Sequence, residues 1–399
     1  MVDLDAVKER LATDIDARAD RLIEISHSIH AHPELNFEEH HAHDLLCGAL
    51  DASGLPVERH AFGLDTAFVA RAGTSGPNVA VCLEYDALPG IGHACGHNII
   101  AAAGLGAGLA TAALADECGG RVSILGTPAE EGGGGKVFMI REGAFDDVDA
   151  AVMVHPAGGD LRTMQTLAVQ QCIATYHGVA AHAAAAPEQG CNALDAAVLG
   201  YNAVAALRQH ILPSERIHGV FTDGGDKPNI VPKRAQTHWF VRSPTAAGLA
   251  RLKDRVLACL EAGAAASGCT LTVEWIDPPY ADMVDIPSLL DRWGADAARL
   301  GRTVVDPAAA NPGVDPVVGS TDMGDVSYVV PSIHPMIQAA PDGTPIHTPA
   351  FEEAAGGPLG DRAVVDGAKL LAWTIAELWL DPMALATARA EFSAFVDQA

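Results

Sequence analysis

The amino-acid sequence predicts an α/β fold in which a mostly parallel sheet forms one large domain and a smaller domain is inserted into it. Short apolar segments alternate with helical segments before residue 166 and again after residue 278, as in a parallel sheet covered by helices. Between them, the order of predicted elements is βαββαβ, the pattern of a ferredoxin-like unit. We therefore expect one domain made of residues 1–166 and 278–399, and an inserted domain made of residues 167–277.

The larger domain is predicted to begin with a charged amphipathic helix that ends near Ser28. Short apolar runs predict its strands, at residues 78–85, 121–127, 150–154 and 332–338. Further helices are predicted from about residue 98, from about residue 136, and over residues 361–380. Each of the first two helices follows a strand directly, which is the spacing of a parallel sheet.

The inserted domain is predicted to contain four strands and two long helices. The strands are expected at residues 168–177, 216–223, 234–242 and 269–276, and the helices at residues 192–210 and 245–266. Asn192 stands where a helix N-cap is expected, because its side chain can accept a hydrogen bond from the first turn.

Composition and charge limit the classes of function. The chain has 399 residues, of which 49% are hydrophobic and 19% are charged, so it can bury a sizeable core. Its net charge of −26 argues against nucleic acid and anionic membranes as partners. No secretory signal is visible, the uncharged stretch 99–115 is short for a membrane span, and the eight cysteines form no CxxC pair. We expect a cytoplasmic protein with reduced thiols.

Polar side chains collect where the predicted strands end. In open α/β sheets, ligands bind beyond the carboxyl ends of the strands. If the first three strands are parallel neighbours, six side chains should meet there: Asp86, Cys95, His97, Glu130, Glu131 and His155.

These residue types suit a metal site with a neighbouring base. Thiolate, imidazole and carboxylate are the groups that bind zinc and similar ions. Adjacent Glu130 and Glu131 point apart, so one can bind a metal while the other handles a proton. Taken singly, each motif has a structural interpretation, as a packed cysteine, a solvated helix start or a strand cap. The prediction depends on their shared location.

The motifs are more specific as a set. They comprise residues 84–89 (EYDALP), 92–98 (GHACGHN), 128–135 (PAEEGGGG) and 155–156, followed by 181–183, 192–196, 229–232 and 319–322. Together they resemble the aminoacylase/carboxypeptidase family of dinuclear metallopeptidases, and most closely its aminobenzoyl-glutamate hydrolase and dipeptidase-like branch. The resemblance extends from about residue 30 to residue 349.

This resemblance implies hydrolysis of an amide bond next to a free carboxylate in a small molecule, with one or two divalent ions as cofactors. Zn²⁺ is the first choice, with Mn²⁺ and Co²⁺ as alternatives. The implied metal ligands are Cys95, His97, Glu131, His155 and His347, with His334 as a rival for the last. The other implied roles are general base for Glu130, orientation of the site for Asp86, oxyanion stabilisation for His182, and binding of the substrate carboxylate for Asn229 and Arg242. In this family the inserted domain closes over the substrate and mediates a homodimer.

Two other functions remain open at this point. Cys95 could be the nucleophile of a cysteine hydrolase, with His97 or His93 as its base. Alternatively, the chain could be a non-catalytic binding subunit on the same fold. The substrate also stays open among aminobenzoyl-glutamate, N-acyl amino acids, dipeptides and specialised biosynthetic intermediates.

Overall fold

The computed structural model describes residues 2–307 and 318–396, and the chain divides into two compact units. Unit 1 consists of Met1–Gln165 and Met283–Ala399, and unit 2 is Thr166–Asp282. Each unit has its own hydrophobic core.

The helices of unit 1 lie both before and after unit 2 in the chain. They are α1 (Leu4–Ala31), α2 (His40–Ala52), α3 (His97–Ala112), α4 (Ala115–Cys118), α5 (Gly135–Arg141), α8 (Pro287–Arg299), α9 (Met323–Ser327), α10 (Pro349–Ala355), α11 (Pro358–Leu380) and α12 (Pro382–Val396). The strands that begin in unit 1 are β1 (Val57–Arg59), β2 (Phe68–Ala72), β3 (Asn78–Leu83), β4 (Arg121–Gly126), β5 (Ala150–Val152), β6 (His155–Ala157), β7 (Gln165–Thr166), β12 (Val318–Gly319), β13 (Ser332–Ile333) and β14 (Met336–Gln338).

The central sheet of unit 1 is mixed, with three parallel and two antiparallel strand pairs, where the sequence predicted a mostly parallel sheet. Its strand order is β1-β2-β4-β3-β5-β13. The pairs β4–β3, β3–β5 and β5–β13 are parallel, whereas β1–β2 and β2–β4 are antiparallel. Strands β1 and β2 were not predicted from the sequence. They are short, and a few residues show little of the apolar alternation from which a strand is predicted. The parallel part holds the strands that precede the candidate site.

Helix α3 lies in the centre of unit 1 and is buried along almost its whole length. It packs on β3 on one side and against α1 and α11 on others. Its small residues allow this close approach, since a Cβ at Gly104 would lie 2.8 Å from the Leu83 side chain of β3. The helix therefore fixes the position of its first residue, His97, and of Cys95 and Gly96, which directly precede it.

The predicted strand 332–338 is two strands separated by His334 and Pro335. β13 pairs with β5 in the central sheet, and β14 pairs with β6 in a separate two-stranded ribbon. The proline lacks the N–H needed to continue a strand ladder, which explains the break. The interruption places His334 near the site, with its ring centroid 5.2 Å from that of His155.

Unit 2 has the element order β–α–β–β–α–β. The elements are β8 (Ala168–His177), α6 (Ala193–Leu207), β9 (Arg216–Asp223), β10 (Arg234–Ser243), α7 (Ala246–Ala266) and β11 (Thr270–Trp275). The strands form one antiparallel sheet in the order β11-β8-β10-β9. Asn192 caps α6 by accepting hydrogen bonds from the backbone of Leu194 and Asp195, as predicted. Thr245 caps α7 in the same way.

Across residues 2–307 and 318–396, no helix combines the length and the apolar character that a bilayer span requires.

Candidate metal centre

Cys95 and His97 flank a glycine whose backbone conformation few other residues could adopt. Gly96 is the N-cap of α3, with φ of 79°. A Cβ at this position would lie 2.5 Å from Cγ of Pro156, so the glycine also permits close contact with the His155–Pro156 segment. As a result, Sγ of Cys95 lies 3.4 Å from Nε2 of His155, although 60 residues separate them in the sequence.

His155 has the protonation state that a metal ligand needs. Burial lowers the pKa of His155 to about 3, so its imidazole is neutral at physiological pH. Its Nδ1 lies 2.8 Å from the carbonyl oxygen of Pro156 and donates to it. That hydrogen bond leaves the lone pair on Nε2, the atom that faces Cys95.

Asp86 links His97 to the loop that carries Glu131. One carboxylate oxygen lies 3.1 Å from Nδ1 of His97, and the other accepts a hydrogen bond of 2.9 Å from the backbone N–H of Glu131. Burial alone would raise the pKa of Asp86, but the neighbouring His97 lowers it below its usual value. An ionised Asp86 therefore orients His97 and fixes the start of the loop that carries Glu131.

The Glu130–Glu131 loop is held in a strained conformation by a buried carboxyl group. Ala129 has a positive φ of 60°, which is rare outside glycine. Its backbone N–H donates to Oε1 of Glu39, a fully buried residue that also accepts a hydrogen bond from Thr66. Glu39 therefore determines the direction in which Glu130 and Glu131 leave the end of β4.

His347 belongs to the part of unit 1 that follows unit 2 in the sequence. It also has a positive φ, of 62°, and its backbone N–H donates to the carbonyl oxygen of Ala94. Its Nε2 lies 3.2 Å from Oε1 of Glu131. Backbone strain of this kind persists only where surrounding contacts enforce it, and such positions concentrate at functional sites.

Several groups of these side chains have the spacing of metal ligands. Three of them draw on Cys95, His97, Glu130, Glu131, His155 and His347: Cys95–His97–His155, Cys95–Glu131–His347 and His97–Glu130–Glu131. Within each group, one ligand atom per residue lies within 4.8 Å of the others. We call Cys95, His97, Glu131, His155 and His347 the thiol–imidazole cluster. In the described part of the chain, His334 belongs to none of these groups, so the geometry favours His347 for the late position.

The donor atoms of this cluster fit a cation. Among the described residues, Nε2 of His97 and Oε1 of Glu131 are buried and make no hydrogen bond of good geometry, although Nε2 of His347 lies 3.2 Å from that oxygen of Glu131. Buried polar atoms without hydrogen bonds cost free energy unless something else satisfies them. A divalent ion bound to thiolate, imidazole and carboxylate would do so, because these are its preferred ligands.

A second cluster, next to the first, was not assigned from the sequence. Carboxylate oxygens of Glu84, Glu130 and Asp322 lie within 4.8 Å of one another, and we call these three residues the carboxyl cluster. The ammonium of Lys136 lies 2.5 Å from Oε1 of Glu84 and 2.6 Å from Oδ1 of Asp322. Burial, followed by the Glu84 carboxylate, raises the pKa of Glu130 well above its usual value. Of these residues, only Glu130 was assigned a role from the sequence. Glu84 and Asp322 lie within the motifs that carry the resemblance but received no role, and a single lysine after a glycine run has no distinctive pattern.

Cys95 does not have the electrostatics of a nucleophile. Burial and the Glu131 carboxylate raise the pKa of Cys95 well above that of an ordinary thiol. Nucleophilic cysteines need a lowered pKa, so a thiolate at this position requires a cation beside it. His93, the other candidate base, is buried, and its pKa is lowered to about 3 by burial.

Three predicted site residues lie in unit 2. His182 and Asn229 are adjacent there: the segments pair at His182 and Ile230, and the N–H of Ala183 donates to the Asn229 carbonyl. Nδ1 of His182 accepts from the backbone N–H groups of Ala184 and Ala185, so the proton of the neutral ring is on Nε2. Asn229 lies five residues before Arg234, the first residue of β10. Arg242 lies near the other end of that strand, about 26 Å from Arg234 along it. Within unit 2, Arg242 is therefore not grouped with His182 and Asn229.

Comparisons with known proteins show the family to which the chain belongs. The model of peptidase family M20/M25/M40 matches residues 76–376. The Xaa-Arg dipeptidase of Mus musculus is 38% identical over 98% of this chain and 93% of its own length. One of the p-aminobenzoyl-glutamate hydrolase subunits of Escherichia coli is 32% identical over 92% of this chain and 91% of its own length.

A solved structure shows the same fold. It is a dinuclear metal-binding M20 peptidase from Bacillus subtilis, with a TM-score of 0.66 and 22% identity, and the match covers 90% of this chain and 98% of that one. The predicted family and branch are confirmed. This chain is therefore a hydrolase that belongs to peptidase family M20/M25/M40.

Proposed function

We propose that this protein hydrolyses the amide bond of a small molecule that carries a free carboxylate, with one or two divalent ions held by the thiol–imidazole cluster. The observation that carries the proposal is the meeting of five donor side chains from distant segments, with two of their buried atoms making no hydrogen bond among the described residues. Zn²⁺ suits this donor set best, and Mn²⁺ or Co²⁺ are the alternatives.

The reaction needs a group that moves a proton, and we assign this role to Glu130. Divalent ions held by the thiol–imidazole cluster would supply Lewis acidity toward a carbonyl oxygen and a water molecule. Glu130 accepts the proton of that water and delivers it to the leaving amine. Its carboxylate lies 3.8 Å from Nε2 of His97, which places it beside the thiol–imidazole cluster without being one of the five proposed ligands.

We assign the substrate contacts to unit 2, which we interpret as a ferredoxin-like lid inserted into the catalytic domain. The Nε2–H of His182 is available as a donor to the developing oxyanion, because Nδ1 is already occupied. Asn229, beside it, is the first candidate to bind the substrate carboxylate. Arg242 is the second candidate.

The partner that we propose for unit 2 is a second copy of this chain. Strand β9 is at the edge of its sheet, and Val220 and Phe221 on it are 60% and 42% exposed. An exposed apolar edge strand favours pairing with another strand, and a twofold homodimer would cover it. We further propose that the protein acts in the cytoplasm.

The substrate class can be tested on protein stripped with EDTA and reloaded with Zn²⁺, Mn²⁺ or Co²⁺. The panel comprises Xaa-Arg dipeptides, N-acetyl amino acids and p-aminobenzoyl-glutamate, each paired with its C-terminal amide as the matched control. We expect no turnover after stripping and recovery on reloading. The amides should lose at least about 100-fold in kcat/KM, because they leave the carboxylate-binding groups unpaired.

The rival cysteine hydrolase gives the opposite result. Turnover that survives EDTA and is abolished by iodoacetamide would contradict the metal-dependent reaction. Equal turnover of free acids and amides would contradict recognition of a carboxylate.

A further inference from the structure

The carboxyl cluster contains a cation that belongs to the protein. Lys136 is completely buried, as are Glu84 and Asp322. Besides the two contacts of its ammonium, its backbone N–H donates to Oδ2 of Asp322 at 2.9 Å. A buried lysine is costly unless it is paired, so this arrangement reflects a specific requirement of the site.

The ammonium lies among carboxylates spaced as metal ligands. Oxygen atoms of Glu84, Glu130 and Asp322 are mutually within 4.8 Å, a spacing that would also suit a divalent ion bound by carboxylates alone. Three carboxyl groups this close repel one another when ionised, and a positive charge among them relieves that repulsion.

The same cluster adjoins the thiol–imidazole cluster. Oε2 of Glu84 lies 3.6 Å from Nε2 of His97, and Glu130 belongs to groups of both kinds. Without a cation of its own, the carboxyl cluster would compete with the thiol–imidazole cluster for metal and would draw Glu130 into coordination. A coordinated Glu130 could not accept a proton from water.

We propose that Lys136 is a positioning residue whose ammonium takes the place of a divalent ion in the carboxyl cluster, which keeps metal out of it and holds Glu130 beside the thiol–imidazole cluster as the base. This inference rests on the proposed function for the role of Glu130. Its claim about cation exclusion is independent of the reaction. In this proposal, the ammonium of Lys136 keeps the carboxyl cluster free of metal, so that only the thiol–imidazole cluster binds ions.

The test counts Mn²⁺ ions per chain, by equilibrium dialysis and elemental mass spectrometry, in the wild type, Lys136→Ala, Lys136→Ala/Asp322→Asn and Lys136→Arg. Mn²⁺ is the probe because carboxylate-only sites prefer hard ions. Lys136→Ala should bind about one additional ion per chain, since it leaves three carboxylates without a cation. The double variant lacks one of these carboxylates and Lys136→Arg keeps the charge, so neither should gain the ion. Lys369→Ala is the matched control, because Lys369 pairs with Asp16 outside both clusters.

Steady-state kinetics with the best substrate of the panel distinguish a loss of positioning of Glu130 from a general loss of structure. In Lys136→Ala, kcat should fall about 10- to 100-fold, the usual cost of removing a group that orients a metal site, while KM changes less than about threefold. Lys136→Arg should recover part of this loss. An unchanged ion count or an unchanged kcat in a folded Lys136→Ala overturns the proposal.

Two contingencies leave the proposal testable. If Lys136→Ala does not fold, the kcat of the charge-balanced variant Lys136→Ala/Asp322→Asn decides. A wild-type kcat in this double variant means that the ammonium of Lys136 is dispensable. A kcat that falls in the double variant but not in Lys136→Arg supports the positioning role of Lys136. If the wild type hydrolyses nothing on the panel, the proposed function fails, and the ion count still decides whether Lys136 excludes metal.

Discussion

The thiol–imidazole cluster and the carboxyl cluster lie side by side in unit 1 but differ in the source of their positive charge. In the carboxyl cluster, the Lys136 ammonium contacts two carboxylates directly. In the thiol–imidazole cluster, donor atoms of His97 and Glu131 make no hydrogen bond among the described residues. Both clusters contain buried polar atoms without a hydrogen bond among the described residues, since Oε2 of Glu84 is one of them. The clusters differ because the carboxyl cluster contains an ammonium of the chain itself, whereas the donor atoms of the thiol–imidazole cluster have the spacing and chemistry of metal ligands.

The largest expected effect tests which cluster Glu130 serves. Glu130→Gln cannot accept a proton but keeps its size, so we expect kcat to fall about 1,000-fold, within the range for loss of a general base. Metal content by mass spectrometry should stay at the wild-type value. Glu142→Gln, on an exposed residue at the end of α5, is the control and should be fully active. Loss of metal in Glu130→Gln would make Glu130 a ligand and remove the distinction between the clusters.

The next effect concerns the residue that orients the thiol–imidazole cluster. Asp86→Asn weakens the acceptor for His97 Nδ1 and the anchor for Glu131, so we expect metal affinity to fall about 10- to 100-fold. Competition with a fluorescent zinc chelator measures this affinity. Asp65→Asn, on an exposed loop, should bind metal normally. Normal affinity in Asp86→Asn would show that the cluster does not depend on its outer hydrogen bonds.

A smaller effect should appear in thiol chemistry. In the metal-loaded protein, iodoacetamide should modify Cys95 about tenfold more slowly than in the stripped protein, because a coordinated thiolate is not available to react. Mass spectrometry of peptides measures each cysteine separately. Cys259 and Cys269, half-buried in unit 2, are internal controls whose rates should not depend on metal. Equal rates at Cys95 in both states would contradict its role as a ligand.

The last effect is on stability and not on activity, and it concerns Glu39, which supports the Glu130–Glu131 loop from outside both clusters. Burial raises the pKa of Glu39 to about 7, above its usual 4.5. A raised carboxyl pKa contributes stability that is complete below pH 4.5 and is lost as pH rises through 7. We expect the free energy of unfolding of the wild type to fall by about 2 kcal/mol from pH 5 to pH 8 relative to Glu39→Gln. Thermal unfolding at both pH values measures the difference, with Glu38→Gln as the exposed control; parallel pH profiles would contradict this assignment.

Much of the fold follows from local sequence. The predicted strands 168–177 and 216–223 match β8 and β9, and Asn192 caps α6 as its residue type indicates. These features depend on alternation of side chains and on capping chemistry, which are properties of a few consecutive residues. The mixed character of the central sheet was not predictable in this way, because the partner of a strand depends on contacts between distant segments.

The same distinction between local and long-range information applies to the candidate site. Cys95, His97, Glu130, Glu131 and His155 could be proposed from the sequence because each follows a strand or begins a helix at the carboxyl edge of a parallel sheet. Asp322 and Lys136 could not be assigned, since their role depends on Glu84, which is 52 residues from Lys136. For the late ligand, the resemblance favoured His347 over its rival His334, and the distances support the same choice.

By itself, the sequence determined the types of donor side chain, their order along the chain and the elements that carry them. The tertiary structure alone showed that the ammonium of Lys136 lies within the carboxyl cluster and that the donor atoms of the thiol–imidazole cluster converge with the spacing of metal ligands. The physical reason is that residue type sets what an atom can bind. Whether it has a partner depends on burial and on distances of about 3 Å between segments far apart in the chain.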